Sequence, residues 1–287
     1  MIIVTGASGQ LGRAVLERLL DRVPADRVGA SVRDPGKVAD LAARGVRVRR
    51  GDYTDTASLA EAFEGASQVL VVSANVLGEE ALRQHRTAIE AAVAAGADRV
   101  LYTAHMGASP TSPMPPMPDH FATEAILRGS GAAWTSLRNG FYASTVPMLL
   151  QSAWHTGEFR TPEAGTVAWT THGDLADVTA LALTTDTFDG LTPPLTGPEA
   201  LSMEQVAALA SQAAGRTIRH VTVSDDDYRA DLVGHGVPET AADMLLTMFA
   251  ASRRGDFEPA DPTLARLLGR PATPLSTVLD SAVPAQT

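Results

Sequence analysis

The sequence predicts an α/β chain: a doubly wound (Rossmann) parallel sheet with a smaller, mostly helical C-terminal lobe. Three observations carry this expectation. Short β-branched runs alternate with Ala/Leu-rich amphipathic stretches as far as about residue 150. A glycine-rich turn stands directly between the first such run and the first helical stretch. Beyond about residue 150 the alternation fades and helical patterns dominate. Repeated strand–helix–strand units favour a parallel sheet covered on both faces, because each crossover between parallel strands needs a helix and is right-handed.

Taken in order, Ile2 to Thr5, Val28 to Val32, Val46 to Arg49, Gln68 to Val72, Arg99 to Thr103 and Trp134 to Leu137 read as strands, with helices between them. The first strand runs into "GASGQLG", in which Gly6, Gly9 and Gly12 allow a tight turn and a close approach of backbone to a pyrophosphate. The following helix N-terminus supplies N–H donors and a positive dipole. The spacing is G-x-x-G-x-x-G, one residue longer in its first gap than the usual dinucleotide fingerprint, so its placement between strand and helix carries the weight. The second strand ends at Arg33, with Lys37 four residues on, where a cation selects a ribose 2′-phosphate and a carboxylate selects a 2′-hydroxyl. NADPH is therefore expected, and the adjacent Asp34 is read as the cap of a helix starting at Pro35.

Further strand ends complete the crevice: Asp52 and Tyr53, then Ser73, Ala74 and Asn75, then Thr103. Asp52 suits either the adenine amino group or a turn. The stretch "SPTSPMPPMP", Ser109 to Pro118, reads as a mobile loop over the carboxyl edge of the sheet, because proline removes a donor and fixes φ. Later, Ser202 to Gly215 and Pro238 to Phe249 read as helices, with Ser202 as the cap of the first. "THGDLADV" is read as a join between lobes, with Asp174 or Asp177 capping a helix. The expected division is residues 1–153 as the NADP-binding domain and 154–287 as the substrate lobe, some later segments being free to return to the first sheet.

Composition narrows the function. With 45% hydrophobic and 20% charged residues the chain falls in the ordinary globular class, and no apolar run approaches the ~18 residues needed to span a bilayer. No charged n-region or cleavage site precedes the first strand, so a cytoplasmic location is expected. A net charge of -10 argues against nucleic acid as a partner. Without cysteine there is no thiolate nucleophile, and the seven histidines show no metal-ligand spacing, so redox chemistry needs a cofactor. Lys37 is the single lysine, and none of the four tyrosines has lysine four positions on. The Tyr-x-x-x-Lys proton relay of many Rossmann reductases is thus absent. Near its usual place, "MPDHFATEAIL" offers His120 and, one helical turn later, Glu124, read mainly as a structural pair and secondarily as a proton donor at His120.

The stretches "VTGASGQLG", "SVRDPGKV", "GDYTD", "QHRTAIEAAVAAGADRVLYTA", "HFATEAILRGSGAAWTSLRNGFY" and "DDDYRADLVGHGVPETAADML" together resemble the NmrA-like atypical short-chain dehydrogenase/reductases, in particular the NADPH:quinone reductase and triphenylmethane reductase branch. The resemblance implies that Gly6, Ala7, Ser8, Gly9, Gln10 and Leu11, then Arg33, Ser73, Ala74 and Asn75, and finally Leu137, Arg138, Asn139, Gly140, Phe141 and Tyr142 contact the cofactor. It places Asn139 and Tyr142 at the nicotinamide end. The activity it implies is NADPH-dependent reduction of a quinone-like or other planar conjugated small molecule, in a monomer or homodimer. The alternatives are a non-catalytic NADP(H) sensor of the NmrA type and an isomerase or reductase dedicated to one biosynthetic intermediate.

Overall fold

A computed structural model describes residues 1–185 and 188–284. The first half alternates as expected: β1 (Ile2–Thr5), α1 (Gln10–Leu20), β2 (Val28–Val32), α2 (Ala39–Ala43), β3 (Arg47–Arg50), α3 (Thr56–Phe63), β4 (Gln68–Val71), α4 (Gly78–Ala94), β5 (Arg99–His105), α5 (Pro116–Arg128) and β6 (Ala133–Asn139). There follow β7 (Phe141–Tyr142), α6 (Thr145–Leu149), α7 (Ala153–Thr156), β8 (Glu158–Pro162), β9 (Val167–Thr170), α8 (His172–Thr184) and β10 (Gly190–Leu191). The chain ends through β11 (Ala200–Leu201), α9 (Met203–Ala214), β12 (Arg219–Val223), α10 (Asp225–Gly234), α11 (Glu239–Arg253), α12 (Thr263–Leu268) and α13 (Leu275–Asp280).

The main sheet has the order β10-β6-β5-β4-β1-β2-β3, and all its pairs are parallel. Ile2 pairs with Val28 on one side and with Gln68 on the other, so the strand order reverses at β1. That reversal opens a crevice beyond the carboxyl ends of β1 and β4, where ligands bind in open α/β sheets. Alternate residues feed two cores, as a strand's two-residue period requires. Val4 and Leu70 pack with Leu16 and Leu19 of α1 and with Leu175 and Val178 of α8. Ile3, Val69 and Tyr102 pack with Phe63, Ile89 and Leu127 on the opposite face. Burial on both faces is why these strands read as continuous apolar runs.

Three segments beyond residue 153 belong to this layer, one of them α12, which packs on α8 with Leu264 in the same core. β10 extends the sheet beside β6, and α8 packs on α1. The helix expected to start at Asp174 or Asp177 is α8, which starts earlier, at His172; it is apolar nearly all round, with Leu175, Ala176, Val178, Ala180, Ala182 and Leu183 buried, so it lacks the two-sided pattern of a surface helix. Its cap is Thr171, whose hydroxyl accepts the Asp174 N–H, and not either aspartate. Asp174 instead accepts from the Thr273 N–H (2.6 Å) and lies 2.7 Å from the Arg270 guanidinium, mooring the C-terminal segment. Asp177 pairs with Arg18 of α1. At the other end of α8, the buried Arg99 guanidinium donates to the carbonyls of Ala182 and Thr185, where the helix dipole favours a cation.

The remaining elements form a lobe around Phe159, Trp169, Phe249 and Phe257, with small sheets β11-β9-β7 and β12-β8. Ser202 and Gln205 make the reciprocal capping box that starts α9. The proline-rich segment is shorter than expected. Pro116 to Pro118 already belong to the first turn of α5, where a missing N–H costs nothing. The preceding residues are latched to the lobe, with the Ser112 hydroxyl donating to Asp256 at 2.6 Å.

Candidate active site

The glycine turn is built in three parts. Gly6 sits at φ +59, and a Cβ on Gly12 would lie 2.4 Å from the Gly6 carbonyl oxygen, so these two let α1 fold tightly onto the end of β1. Gly9 is the N-cap of α1 and no side chain caps that helix end. Ala7 and Leu11 are buried, whereas Ser8, Gly9 and Gln10 form an exposed crest over the helix N-terminus. A Cβ on Gly9 would meet only the Gly6 carbonyl, at 3.3 Å, which leaves open space above the crest for a diphosphate.

At the end of β2, Arg33 and Lys37 are exposed, and no ion pair among the described residues engages either. Asp34 caps the turn at Pro35 by accepting the Gly36 N–H at 3.0 Å. Asp52 is turned inward, accepting from the Thr54 N–H (3.0 Å) and hydroxyl (2.8 Å), which holds its carboxyl below the usual range and makes it a turn residue.

Two expected contacts prove to be supports beneath the crevice. The Tyr53 hydroxyl lies 2.5 Å from that of Thr5 and donates to the Val72 carbonyl at 2.8 Å, tying β1 to β4. Its hydroxyl is spent within the protein, and burial raises its pKa. Thr103 is buried and accepts the Ser73 N–H at 2.9 Å, so it holds the 73–75 loop from behind.

At the end of β6, six consecutive expected contacts divide by role. Leu137 is in the core. Arg138 turns away to make a two-pronged pair with Glu124 (2.9 and 2.7 Å), whose Oε1 also accepts from Ser136 at 2.9 Å. Glu124 thus serves Arg138 and not His120, correcting the expected pairing. Gly140 is needed because a Cβ there would sit 2.1 Å from Thr170 Oγ1. Phe141 packs edge-on against Trp169 and Phe257. Asn139 and Tyr142 remain. The Asn139 side chain is fully buried, and apart from its approach to the Tyr142 hydroxyl neither its oxygen nor its nitrogen reaches a hydrogen-bond partner. Buried amides are nearly always satisfied, so this one keeps hydrogen-bonding capacity that the surrounding protein leaves largely unused. Tyr142 lies beside it, its ring tilted against that of His172 with centroids 4.2 Å apart. Burial raises the Tyr142 pKa, and the neighbouring Asn139 amide opposes that rise.

His120, one turn into α5, forms a 2.8 Å hydrogen bond through Nδ1 with the Tyr102 hydroxyl. Its ring lies 6.2 Å from that of His105, which accepts the Gly107 N–H at Nδ1 (3.0 Å) and packs against Phe141 and Phe257. Burial holds the His120 pKa well below 6.5 and that of His105 down to about 3. Both are neutral at neutral pH. These folded-state values lie below the unfolded one, so the unfolded chain binds more protons as pH falls below about 6.5, and stability is lost as pH drops toward the folded values. Unfolding free energy, measured by urea titration, is expected to fall steeply between pH 6.5 and 4, and less so in His105→Phe. Removing one partner of the buried Arg138–Glu124 pair should also be costly. We expect Glu124→Ala to lose about 3 kcal/mol by the same measurement, the lower part of the range for a broken buried pair, because Arg138 keeps some access to water.

Tyr102, Glu124 as a partner of Arg138, His105 and His172 were not anticipated as site-building residues. No motif marks them, and they meet only because β5, β6, α5 and the start of α8 end at one edge.

Comparison with known proteins decides the relationship. The NmrA-like family model matches residues 1–279. The chain belongs to the NmrA-like family. Among solved structures, the NADPH-dependent quinone oxidoreductase of Escherichia coli in complex with NADPH superimposes with a TM-score of 0.93 at 34% identity, covering 99% of this chain and 100% of that one. The Citrobacter sp. triphenylmethane reductase in complex with NADP(H) gives 0.93 at 32% identity, covering 98% and 100%. The NAD(P)H azoreductase of Xenophilus azovorans is 33% identical over 274 residues, 95% of this chain and 94% of that protein. This NmrA-like chain therefore shares its whole length with reductases of conjugated molecules. Among the described residues, no helix is long and apolar enough to cross a membrane and no cluster of side chains could hold a metal ion.

Proposed function

We propose that this NmrA-like protein is an NADPH-dependent oxidoreductase that reduces a quinone-like or other planar conjugated small molecule. The observation that carries the reading is the buried amide of Asn139, with hydrogen-bonding capacity left unused, at the carboxyl end of β6, the same edge of the parallel sheet as the glycine turn after β1. An amide donor and acceptor side by side match the carboxamide of a nicotinamide ring. NADPH, when bound, supplies a hydride to the acceptor.

The chain's own residues supply binding and orientation. The Ser8–Gln10 crest and the α1 N-terminus hold the diphosphate, Arg33 with Lys37 takes the 2′-phosphate, the 73–75 loop packs along the cofactor, and Asn139 with Tyr142 fixes the nicotinamide ring. No protein acid is required, because a delocalised acceptor takes a hydride without prior protonation and water supplies any later proton. His120 is poorly suited to be that acid, since its burial keeps it unprotonated near neutral pH. Catalysis then rests on holding two rings in contact.

Arg33→Ala should weaken NADPH by about 10- to 100-fold, the loss of a hydrogen bond to a charged group, and leave NADH almost unaffected. Calorimetric titration of both nucleotides reads this directly, and an equal loss of the two would remove Arg33 from the 2′-phosphate site. The function itself is tested by steady-state NADPH oxidation across a panel of quinones and cationic dyes. Saturable turnover is expected, whereas tight nucleotide binding without turnover on any acceptor would favour a sensor.

A further inference from the structure

We propose that His85 is a positioning residue for the cofactor: with Thr123 it anchors the 73–78 segment to α5 and sets the shape of the wall against which NADPH packs. The inference rests on the proposed cofactor site and adds to it a residue from outside the crevice lining.

Residues 73 to 78 join β4 to α4 along the crevice, and three of their N–H groups are committed to side chains of other elements. Ser73 donates to Thr103 Oγ1 of β5 (2.9 Å), Ala74 to His85 Nε2 of α4 (2.8 Å), and Gly78 to Asp119 Oδ2 of α5 (2.8 Å). The Ala74 contact fixes the imidazole chemistry. A backbone N–H can only donate, so His85 Nε2 carries the lone pair and Nδ1 carries the proton. That proton is directed at Thr123 Oγ1, 2.9 Å away, and the Thr123 hydroxyl spends its own proton on the Asp119 carbonyl at 2.8 Å. The direction is uniform: Ala74 N–H to His85, His85 to Thr123, Thr123 to the α5 backbone.

Asp119 therefore receives two points of the segment, Gly78 at its carboxylate and Ala74 through the relay at its carbonyl. The next residue of α5 is His120. The wall that packs along the cofactor and the helix that carries His120 are thus one hydrogen-bonded unit. The His85 ring is buried and edge-on to Tyr102 at 5.2 Å, and Tyr102 in turn bonds to His120. Burial lowers the His85 pKa to about 4, so the neutral form the relay needs is present across the physiological range. Packing alone would need a ring here. It would not need an acceptor on one edge and a donor on the other, each matched to a fixed partner.

The test compares shape with hydrogen bonding. His85→Phe keeps the ring and removes both polar edges, while His85→Gln keeps an acceptor within reach of Ala74. Nucleotide affinity by fluorescence titration, KM for NADPH, kcat at saturating NADPH and melting temperature without nucleotide are measured for each. We expect Kd and KM for NADPH to rise about tenfold in His85→Phe and to stay within about threefold of the parent in His85→Gln, with kcat changing much less than KM. His85→Phe binding NADPH like the parent, or His85→Gln losing as much as His85→Phe, overturns the proposal. If His85→Phe does not fold, Thr123→Val against Thr123→Ser decides in its place: weaker NADPH binding in the valine variant alone supports the relay, and equal binding in the two overturns it. Gly9→Val is run alongside. Should that variant keep parental affinity, the cofactor site itself is misplaced; should it lose affinity while His85→Phe does not, only the present inference fails.

Discussion

Gly9→Val is expected to abolish NADPH binding while leaving the protein folded. The two halves of that expectation have separate structural causes. Folding survives because Gly9 has φ -85, which any residue adopts, and because a Cβ there meets only the Gly6 carbonyl, at 3.3 Å, a contact relieved by a shift of a few tenths of an ångström. Binding fails because the branched side chain fills the space over the α1 N-terminus that the diphosphate must enter. The neighbouring glycines behave differently. Gly6 needs its left-handed φ and Gly12 its closeness to the Gly6 carbonyl, so substitutions at those positions damage the fold itself. We expect affinity in Gly9→Val to fall by more than about a hundredfold, comparable to losing several charge-assisted contacts. Calorimetry with NADPH, paired with an unchanged melting temperature of the free protein, checks it. Parental affinity in this variant would move the cofactor elsewhere.

The second large effect is expected at Asn139. Asn139→Ala should lower kcat about a hundredfold at saturating NADPH, because a nicotinamide displaced by about 1 Å no longer meets the acceptor in a reactive geometry. Tyr142→Ala should lower it nearly as much, since the ring held against His172 backs the same position. His120→Ala should cost less than about tenfold, below the 10² to 10⁴ typical of a lost general acid. With its pKa held well below 6.5, His120 should also leave kcat flat from pH 6 to 8. A thousandfold loss in His120→Ala, with loss of a titration near pH 6 to 7 in the parent, would show that this histidine replaces the missing tyrosine. Each variant is compared at matched thermal stability, because Asn139 is buried.

The Rossmann half was readable because its strands and glycine turn carry local signals. Four of the six strands expected from the sequence start where the structure starts them, and Ser202 caps α9 as its spacing with Gln205 requires. Failures arose where tertiary contacts override local pattern. The helix α8 was expected, but its cap is Thr171, because Asp174 and Asp177 are drawn to Arg270 and Arg18. Pro116 and Pro118 sit in a helix because its first turn has N–H groups to spare. In the candidate site, several of the expected contact residues have side chains that serve the protein's own structure. Arg138, Tyr53 and Thr103 stand next to crevice residues in the sequence, but each side chain turns to a partner on a distant element, Glu124, Thr5 and Ser73 respectively. The alternation of strand residues says which face a side chain is on, not whether a neighbour has already claimed it.

The central claim is direct hydride delivery to a conjugated acceptor held against the nicotinamide, without a protein acid. A cationic triarylmethane dye tests it most directly, because its reduction forms one carbon–hydrogen bond and needs no proton. NADPH carrying deuterium at the transferable position is turned over with such a dye, and the colourless product is analysed by mass spectrometry. The account predicts one deuterium at the central carbon of the product, with the same yield in His120→Ala. Product without deuterium, or nucleotide bound with no product at all, would contradict it.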